Sequence, residues 1–303
     1  MPYLLILSRE SDEYHRMISS AQLPELAFTT EPSQCDIVLG EPKLIQDALP
    51  RLTSLKWVQA IYAGVEPLVD AAQRRDYVLT NARGVFGELM SEFVFGYLLF
   101  HEKKILERIQ AQQSRQWKRT ESGVLRGKTI GLLGVGSIGA HLAGTAKHFG
   151  MTVRGFTRKS ETSPDVDQYF HGDDLLKFAE GLDYLISVLP RTEGTNKIVD
   201  AKLLEILPPH ALFVNVGRGN AVDESALVEA LNEGKLAAAV LDVFEKEPLP
   251  EDHPFWTIPN LFMTFHTSAI SYPEDMTKLF TENYRLYIEG KPLKYVVDFE
   301  RGY

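Results

Sequence analysis

Short apolar runs alternate with helix-length segments along almost the whole chain. Tyr3–Leu7, Ile37–Leu39, Lys56–Ala60 and Val78–Thr80 are predicted strands of a first α/β unit, each followed by turn residues and by polar or helical sequence. From Glu88 to about Trp117 the period changes. Leu89, Phe93, Tyr97, Phe100, Ile105 and Ile109 recur at three- to five-residue spacing with no proline between them. That spacing predicts a long amphipathic helix with at most one break, the kind of element that joins domains. A second series of strands follows at Thr129–Leu133, Met151–Phe156, Tyr184–Leu189, Leu212–Val216, Leu236–Leu241 and Leu261–Phe265. Between the last strands, Asp223–Gly234 shows both ends of a helix, an acidic N-cap and a glycine just past the C-terminus. Strands alternating with helices predict an α/β fold built on parallel, doubly wound sheets.

Near the end of the chain, Ser271-Tyr-Pro-Glu274 has the form of a capping box and opens a helix to Ile288, stopped by Gly290. Lys294–Val297 has the pattern of one more strand. This helix and tail are expected to pack on the first unit. The second unit is then an insertion: 1–97 with 271–303 forms one domain and 98–270 the other. Ser160–Asp167, with its proline and serines, is expected to be a loop.

Composition narrows the picture. A chain of 303 residues, 44% hydrophobic and 24% charged, is long and apolar enough for two globular cores without staples. Its one cysteine, Cys35, excludes an intrachain disulfide, argues against a cysteine-based zinc site, and suits a reducing, cytoplasmic setting. A net charge of -9 argues against nucleic acid and anionic membranes as partners but permits a local basic pocket. Met1–Leu7 lacks a basic flank and is too short for a signal-peptide core. No apolar run approaches the ~20 residues of a membrane span.

The strand at Thr129–Leu133 leads into Gly134-Val-Gly136-Ser-Ile-Gly139, with helical sequence from Ala140 to His148. In this strand–turn–helix context Gly134 makes the tight turn. Gly136 lets a pyrophosphate approach the backbone, and Gly139 allows close helix–strand packing. The helix N-terminus then presents free amides and a positive dipole end to the phosphate. A glycine-rich turn without ligand is the competing account. About 20 residues on, NAD-binding folds place a carboxylate against the ribose 2′-hydroxyl. Here the sequence is Thr157-Arg158-Lys159-Ser160, two cations and two hydroxyls. This set suits a 2′-phosphate, with Arg158 able to bind it bidentately, and points to NADP(H) as preferred cofactor with NAD(H) still open. A solvated basic loop is the alternative.

Three further strand ends carry polar residues: Val214-Asn-Val216-Gly217-Arg218-Gly219, Leu241-Asp242-Val-Phe-Glu245-Lys-Glu247-Pro248 and Thr264-Phe-His266-Thr-Ser268-Ala269. Hydride transfer to a ketone places negative charge on its oxygen. A protonated histidine can polarise that oxygen and give it a proton. A neighbouring carboxylate raises the histidine pKa, and an arginine anchors a substrate carboxylate through two parallel hydrogen bonds. Arg218, Glu247 and His266 fit these roles. Taken singly, each could be structural; their joint occurrence after the glycine fingerprint points to chemistry.

The ordered set G-x-G-x-x-G, V-N-V-G-R-G, L-D-V-F-E-x-E-P-L-P and F-H-T-S-A resembles the D-isomer-specific 2-hydroxyacid dehydrogenase family over nearly the whole chain. The Thr157–Ser160 loop and the ending Arg301-Gly302-Tyr303 resemble its bacterial glyoxylate/hydroxypyruvate reductase A branch. The resemblance implies two Rossmann-like units, a flavodoxin-like substrate domain with the doubly wound dinucleotide-binding domain inserted in it. It also implies a cleft between the domains, a homodimer formed through the cofactor domains, and no metal. Arg218, Glu247 and His266 fall on the family's catalytic positions; glutamine at the glutamate position would suit formate dehydrogenases instead. Carried over as cofactor contacts are Ser137, Ile138, Leu189, Pro190, Val216, Gly217, Asp242 and Ser268, with Met90 and Glu92 where the interdomain helix passes the cofactor. Tyr62-Ala63-Gly64-Val65 resembles the substrate loop, whose amides hold the substrate carboxylate; Arg218 and His266 complete that set. The expected activity is NADPH-dependent reduction of a short 2-keto acid such as glyoxylate or hydroxypyruvate to the 2-hydroxy acid. A larger 2-keto acid, with Trp57, Trp256 or Tyr272 lining the pocket, and a non-catalytic dinucleotide-sensing binding protein are the alternatives.

Overall fold

Two all-parallel sheets carry the fold, one in each of the units into which the chain divides: Met1–Val85 together with the segment from Ser271 onward, and Phe86–Ile270. The computed structural model describes residues 1–302; Tyr303, the last residue of the Arg-Gly-Tyr ending, lies outside the described residues.

The first unit begins β1 (Tyr3–Leu7), α1 (Ser11–Ser20), β2 (Ala27–Phe28), β3 (Ile37–Gly40) and α2 (Pro42–Ala48), then β4 (Trp57–Ala60), α3 (Glu66–Val69) and β5 (Val78–Thr80). The strand order is β2-β1-β3-β4-β5. Leu5, Val38, Val58 and Leu79 pair side by side across the sheet and are buried. Strands covered on both faces need continuous apolar runs, and these have them. The last helix, Pro273–Ile288, closes this unit: Phe280 stacks on Trp57 with ring centroids 5.3 Å apart. Trp57 is fully buried and donates Nε1–H to Thr80 Oγ1, so it is core and lines no pocket. Tyr272, not Ser271, is the N-cap, no side chain caps the helix, and Pro273 starts it; the predicted capping box does not form. Lys294–Val297 makes no strand. Val296 forms one isolated antiparallel bridge with Thr80, and Val297 N–H donates to Leu79 O.

The second unit opens with α4 (Gly87–Glu102) and α5 (Ile105–Gln113). The single break in the long helical pattern falls where Lys104 takes a left-handed φ of 49°. The division between units falls at Val85/Phe86 rather than after Tyr97. Val94, Phe95 and Leu98 of α4 are buried in one cluster with Leu142, Ala143 and Ala146, and Phe95 stacks on Phe149 at 5.3 Å. There follow β6 (Thr129–Leu133), α6 (Ser137–His148), β7 (Thr152–Phe156), β8 (Gln168–Phe170), α7 (Leu175–Ala179), β9 (Tyr184–Ser187), α8 (Ala201–Ile206), β10 (Leu212–Asn215), α9 (Glu224–Asn232), β11 (Ala238–Leu241) and β12 (Leu261–Met263). Their order is β12-β11-β10-β9-β6-β7-β8. The chain builds outward from β6 to β8 and then crosses back to lay β9 against the other side of β6. This reversal leaves a crevice at the carboxyl ends of β6 and β9, where open α/β sheets bind ligands.

Candidate active site

The glycine turn stands at that reversal. Gly134 has φ +97°, a conformation other residues rarely adopt. A Cβ on Gly139 would lie 2.2 Å from the Gly134 carbonyl oxygen, so only glycine lets α6 start this close to β6. Gly136 differs: it is exposed, and a Cβ there would meet nothing within 4 Å among the described residues. The space in front of it is open, as a pyrophosphate needs. Ser137 and Ile138 form the first turn of α6, whose leading amides have no intrahelical acceptor. The turn therefore fits a dinucleotide.

At the end of β7, the Thr157 hydroxyl donates to Ser160 O at 2.7 Å and closes a short loop. Thr157 thus shapes the loop, while Arg158, Lys159 and Ser160 are exposed. The next residue, Glu161, pairs with His171 Nε2 at 2.8 Å.

Three loops beyond β9, β10 and β11 meet through glycines. A Cβ on Gly217 would lie 2.6 Å from the backbone of Leu189, and one on Gly219 would overlap the Phe244–Glu245 peptide. Leu189-Pro190, Arg218 and the Glu247 loop are brought together by this packing. Asn215, unassigned from sequence, shapes the arginine turn: its Oδ1 accepts from Gly217 N–H at 3.1 Å and its Nδ2 donates to Arg218 O at 3.0 Å. An Asn at a strand end two residues before a glycine is the signal that could have found it. Arg218 Nη1 donates to Gly217 O at 2.8 Å. Val216 is buried beside this turn.

Asp242 is 1% exposed and organises the histidine turn. Its Oδ1 accepts from the Thr264 hydroxyl at 2.6 Å and Thr267 N–H at 2.8 Å, and its Oδ2 from Ser268 N–H at 3.0 Å. Its carbonyl accepts His266 N–H at 2.7 Å. His266 itself has φ +57°, an uncommon backbone conformation for a non-glycine residue, of the kind that concentrates at functional sites. Its Nδ1 is 2.8 Å from Glu247 Oε2, and Glu247 Oε1 accepts from Phe244 N–H at 3.0 Å. Nothing hydrogen-bonds Nε2 of His266 among the described residues. The hydrogen bond to Glu247 holds the His266 pKa above the ordinary imidazole value against the opposing pull of burial. Burial alone would raise the Glu247 pKa, but the bonds from His266 and Phe244 outweigh it and lower it. The positive charge of Arg218 acts on both groups. Such a trio can anchor an anion, orient an imidazole and deliver a proton.

Ala63, Gly64 and Val65 belong to the other unit, in the turn after β4. Ala82 N–H donates to Tyr62 O, and Asn81 Nδ2 donates to Ala63 O at 2.7 Å. Met90 packs against the second unit's core and Glu92 is exposed on α4. Trp256 and Phe265 are both half-exposed and pair with centroids 5.9 Å apart. Among the described residues no cluster of three or more His, Cys, Asp or Glu could hold a metal, and no helix is long and apolar enough to cross a membrane.

Residues 95–268 match the family described as D-isomer specific 2-hydroxyacid dehydrogenase, NAD binding domain. Over 283 residues the chain is 32% identical to a glyoxylate/hydroxypyruvate reductase A of Yersinia enterocolitica, which spans 90% of this chain and 89% of that one. A D-isomer specific 2-hydroxyacid dehydrogenase family protein from Aeromonas salmonicida has a similar structure, with a TM-score of 0.93 and 42% identity, covering 98% of this chain and 99% of that one. A D-isomer specific 2-hydroxyacid dehydrogenase from Xanthobacter autotrophicus, solved in complex with NADPH and MES, reaches 0.90 at 30% identity, covering 100% and 99%.

Proposed function

As a chain that belongs to the D-isomer specific 2-hydroxyacid dehydrogenase family, this protein is an NAD(P)-dependent oxidoreductase, and we propose that it reduces a short 2-keto acid of the glyoxylate or hydroxypyruvate kind with NADPH. The observation that carries this reading is the His266–Glu247 pair at 2.8 Å, with Arg218 near enough to act on the charge of both.

A nicotinamide dinucleotide, when bound, supplies the hydride. This chain's side chains do the rest. The Arg218 guanidinium takes the substrate carboxylate through two parallel hydrogen bonds and so fixes which carbon is attacked. His266 Nδ1 is engaged by Glu247, which leaves Nε2 to give its proton to the carbonyl oxygen as charge develops there. Glu247 fixes the ring plane and keeps the imidazolium populated.

The preference for NADPH rests on Arg158 and Lys159, exposed just beyond β7, and on the lack of any carboxylate from Thr157 to Ser160. A guanidinium suits a phosphate dianion far better than a neutral hydroxyl. Exposed Ile105, Leu106 and Ile109 on α5, and Trp117 beyond it, are the apolar surface that a homodimer through the cofactor units would cover. The exposed Trp256–Phe265 pair, next to His266 in the chain, favours a second reading in which the substrate carries a larger apolar group. A panel of 2-keto acids from glyoxylate to aromatic ones, assayed with NADPH and NADH in parallel by the loss of reduced-nicotinamide absorbance, tests the reaction class, the cofactor preference and the substrate size. No turnover on any member would overturn the reaction class, and turnover confined to the large members would favour the second reading.

A further inference from the structure

One pair of titratable side chains outside the catalytic loops has no task in the proposed reaction. His171 follows β8, the strand beside β7, and its ring reaches back to the loop that would receive the 2′-phosphate. Nδ1 lies 2.9 Å from the Thr157 carbonyl oxygen, and Nε2 lies 2.8 Å from Glu161 Oε1. A carbonyl and a carboxylate can only accept, so the ring satisfies both partners when both nitrogens donate, and the geometry favours the imidazolium. The Thr157 hydroxyl, 3.1 Å from Nδ1, cannot serve as donor instead, because its proton goes to Ser160 O. In keeping with this geometry, the bond to Glu161 raises the His171 pKa above its ordinary value, and the Thr157 carbonyl adds to the effect. Two residues earlier, the Tyr169 hydroxyl accepts from Ser163 N–H and donates to Ser163 O. The loop is thus pinned at Thr157, Glu161 and Ser163, while Arg158 and Lys159 face solvent.

Glu161 is the single acidic residue between Thr157 and Ser163. A free carboxylate in this loop would work against the 2′-phosphate in two ways. Its charge would repel a dianion, and its oxygens would accept bonds from ribose hydroxyls, as carboxylates do in NAD-selective sites. Joined to an imidazolium, it carries no net charge as a pair, and one oxygen is occupied. We propose that His171 is a selectivity residue, which sequesters and neutralises Glu161 so that this loop favours NADP(H) over NAD(H). This rests on the NADPH reading of the same loop and adds the residue pair that sets it.

The test is binding rather than turnover. Dissociation constants for NADPH and NADH are measured by reduced-nicotinamide fluorescence, and those for 2′,5′-ADP and 5′-AMP by calorimetry, on the parent, His171→Asn, Glu161→Gln and the double variant. His171→Asn is expected to weaken NADPH and 2′,5′-ADP about tenfold, roughly the loss of one charge-compensating contact. NADH and 5′-AMP should bind at least as tightly as in the parent, because the freed carboxylate can accept from the ribose hydroxyls, and their retained binding also shows that the variant is folded. Glu161→Gln should bind NADPH at least as well as the parent. The double variant should recover most of the NADPH affinity lost by His171→Asn, because the freed carboxylate is the cause of the loss. A NADPH-to-NADH ratio unmoved by His171→Asn overturns the role, and so does a double variant as weak as the single one. The change in ratio is read whatever the parent's own preference. A parent that binds NADH more tightly therefore refutes the NADPH reading separately.

Discussion

Replacing Glu247 by glutamine removes a charge while keeping size and shape, and its effect on the pH profile can be worked from the structure. Glu247 uses both oxygens as acceptors, one for Phe244 N–H at 3.0 Å and one for His266 Nδ1 at 2.8 Å. Glutamine has one acceptor oxygen, so only one of the two N–H groups keeps its partner. The charge centres of the pair lie about 4 Å apart, worth ~4 kcal/mol at an effective dielectric constant of 20 and ~1 kcal/mol in water. The side chains are 53% and 36% exposed, which places the pair near the water limit once screening is counted. Roughly 1.5 kcal/mol, or about one pKa unit, is therefore expected. The His266 pKa is raised in the parent, and reduction needs the imidazolium, so the rate is highest on the acid side and falls as pH rises through that pKa. In Glu247→Gln the falling limb should move about one unit toward acid. The assay is kcat/KM for the keto acid at saturating NADPH, followed on both sides of neutrality. A variant that keeps measurable activity with its limb in place would show that the Glu247 charge does not set His266 protonation. A limb moved toward alkali would reverse the argument.

Other outcomes can be checked independently. His266→Asn should lower kcat by roughly 10²-fold to 10⁴-fold, the usual contribution of a positioned acid, while NADPH binding by fluorescence stays close to the parent's. Arg218→Lys, which exchanges a planar fork for a point charge, should raise KM for the keto acid about tenfold to 100-fold, the loss of one charge-assisted bond; an unchanged KM would remove Arg218 from carboxylate binding. Gly139→Ala and Gly136→Ala should separate structure from binding. The first puts a Cβ 2.2 Å from a backbone oxygen and should lower the melting temperature sharply, whereas the second meets open space and should weaken NADPH at nearly constant stability. Light scattering should give a mass twice that of the 34.1-kDa chain, and Ile109→Glu should shift it toward the single chain.

The strands were legible wherever burial on both faces demands an unbroken apolar run, as at Tyr3–Leu7 and Thr129–Leu133. Ala27–Phe28 and Gln168–Phe170 escaped notice because an edge strand of two or three residues is too short to show a period. The hydrophobic pattern alone puts the end of the first unit after Tyr97, later than Val85, because periodicity shows that a helix has an apolar face but not which core receives it. Trp57 was ambiguous for the same reason: an aromatic beside a strand end reads alike whether it faces a pocket or Phe280. Of the candidate site, the residue types were readable from the chemistry they bear, and their partners were not. That Asp242 holds the turn of a histidine 24 positions later, or that His171 reaches Thr157, depends on strand order, which no local pattern encodes.

The left-handed backbone of His266 has a consequence for how any substitution there is interpreted. Most side chains resist that conformation, β-branched ones most of all, whereas asparagine enters it readily. A replacement by valine or threonine thus alters two things at once, removing the imidazole and pressing the turn to refold around a different φ. The kinetic defect of such a variant would measure a displaced loop as well as a missing proton. Position 266 therefore constrains the sequence twice over, by its shape and by its acidity, and only a substituent that satisfies the first allows the second to be measured alone.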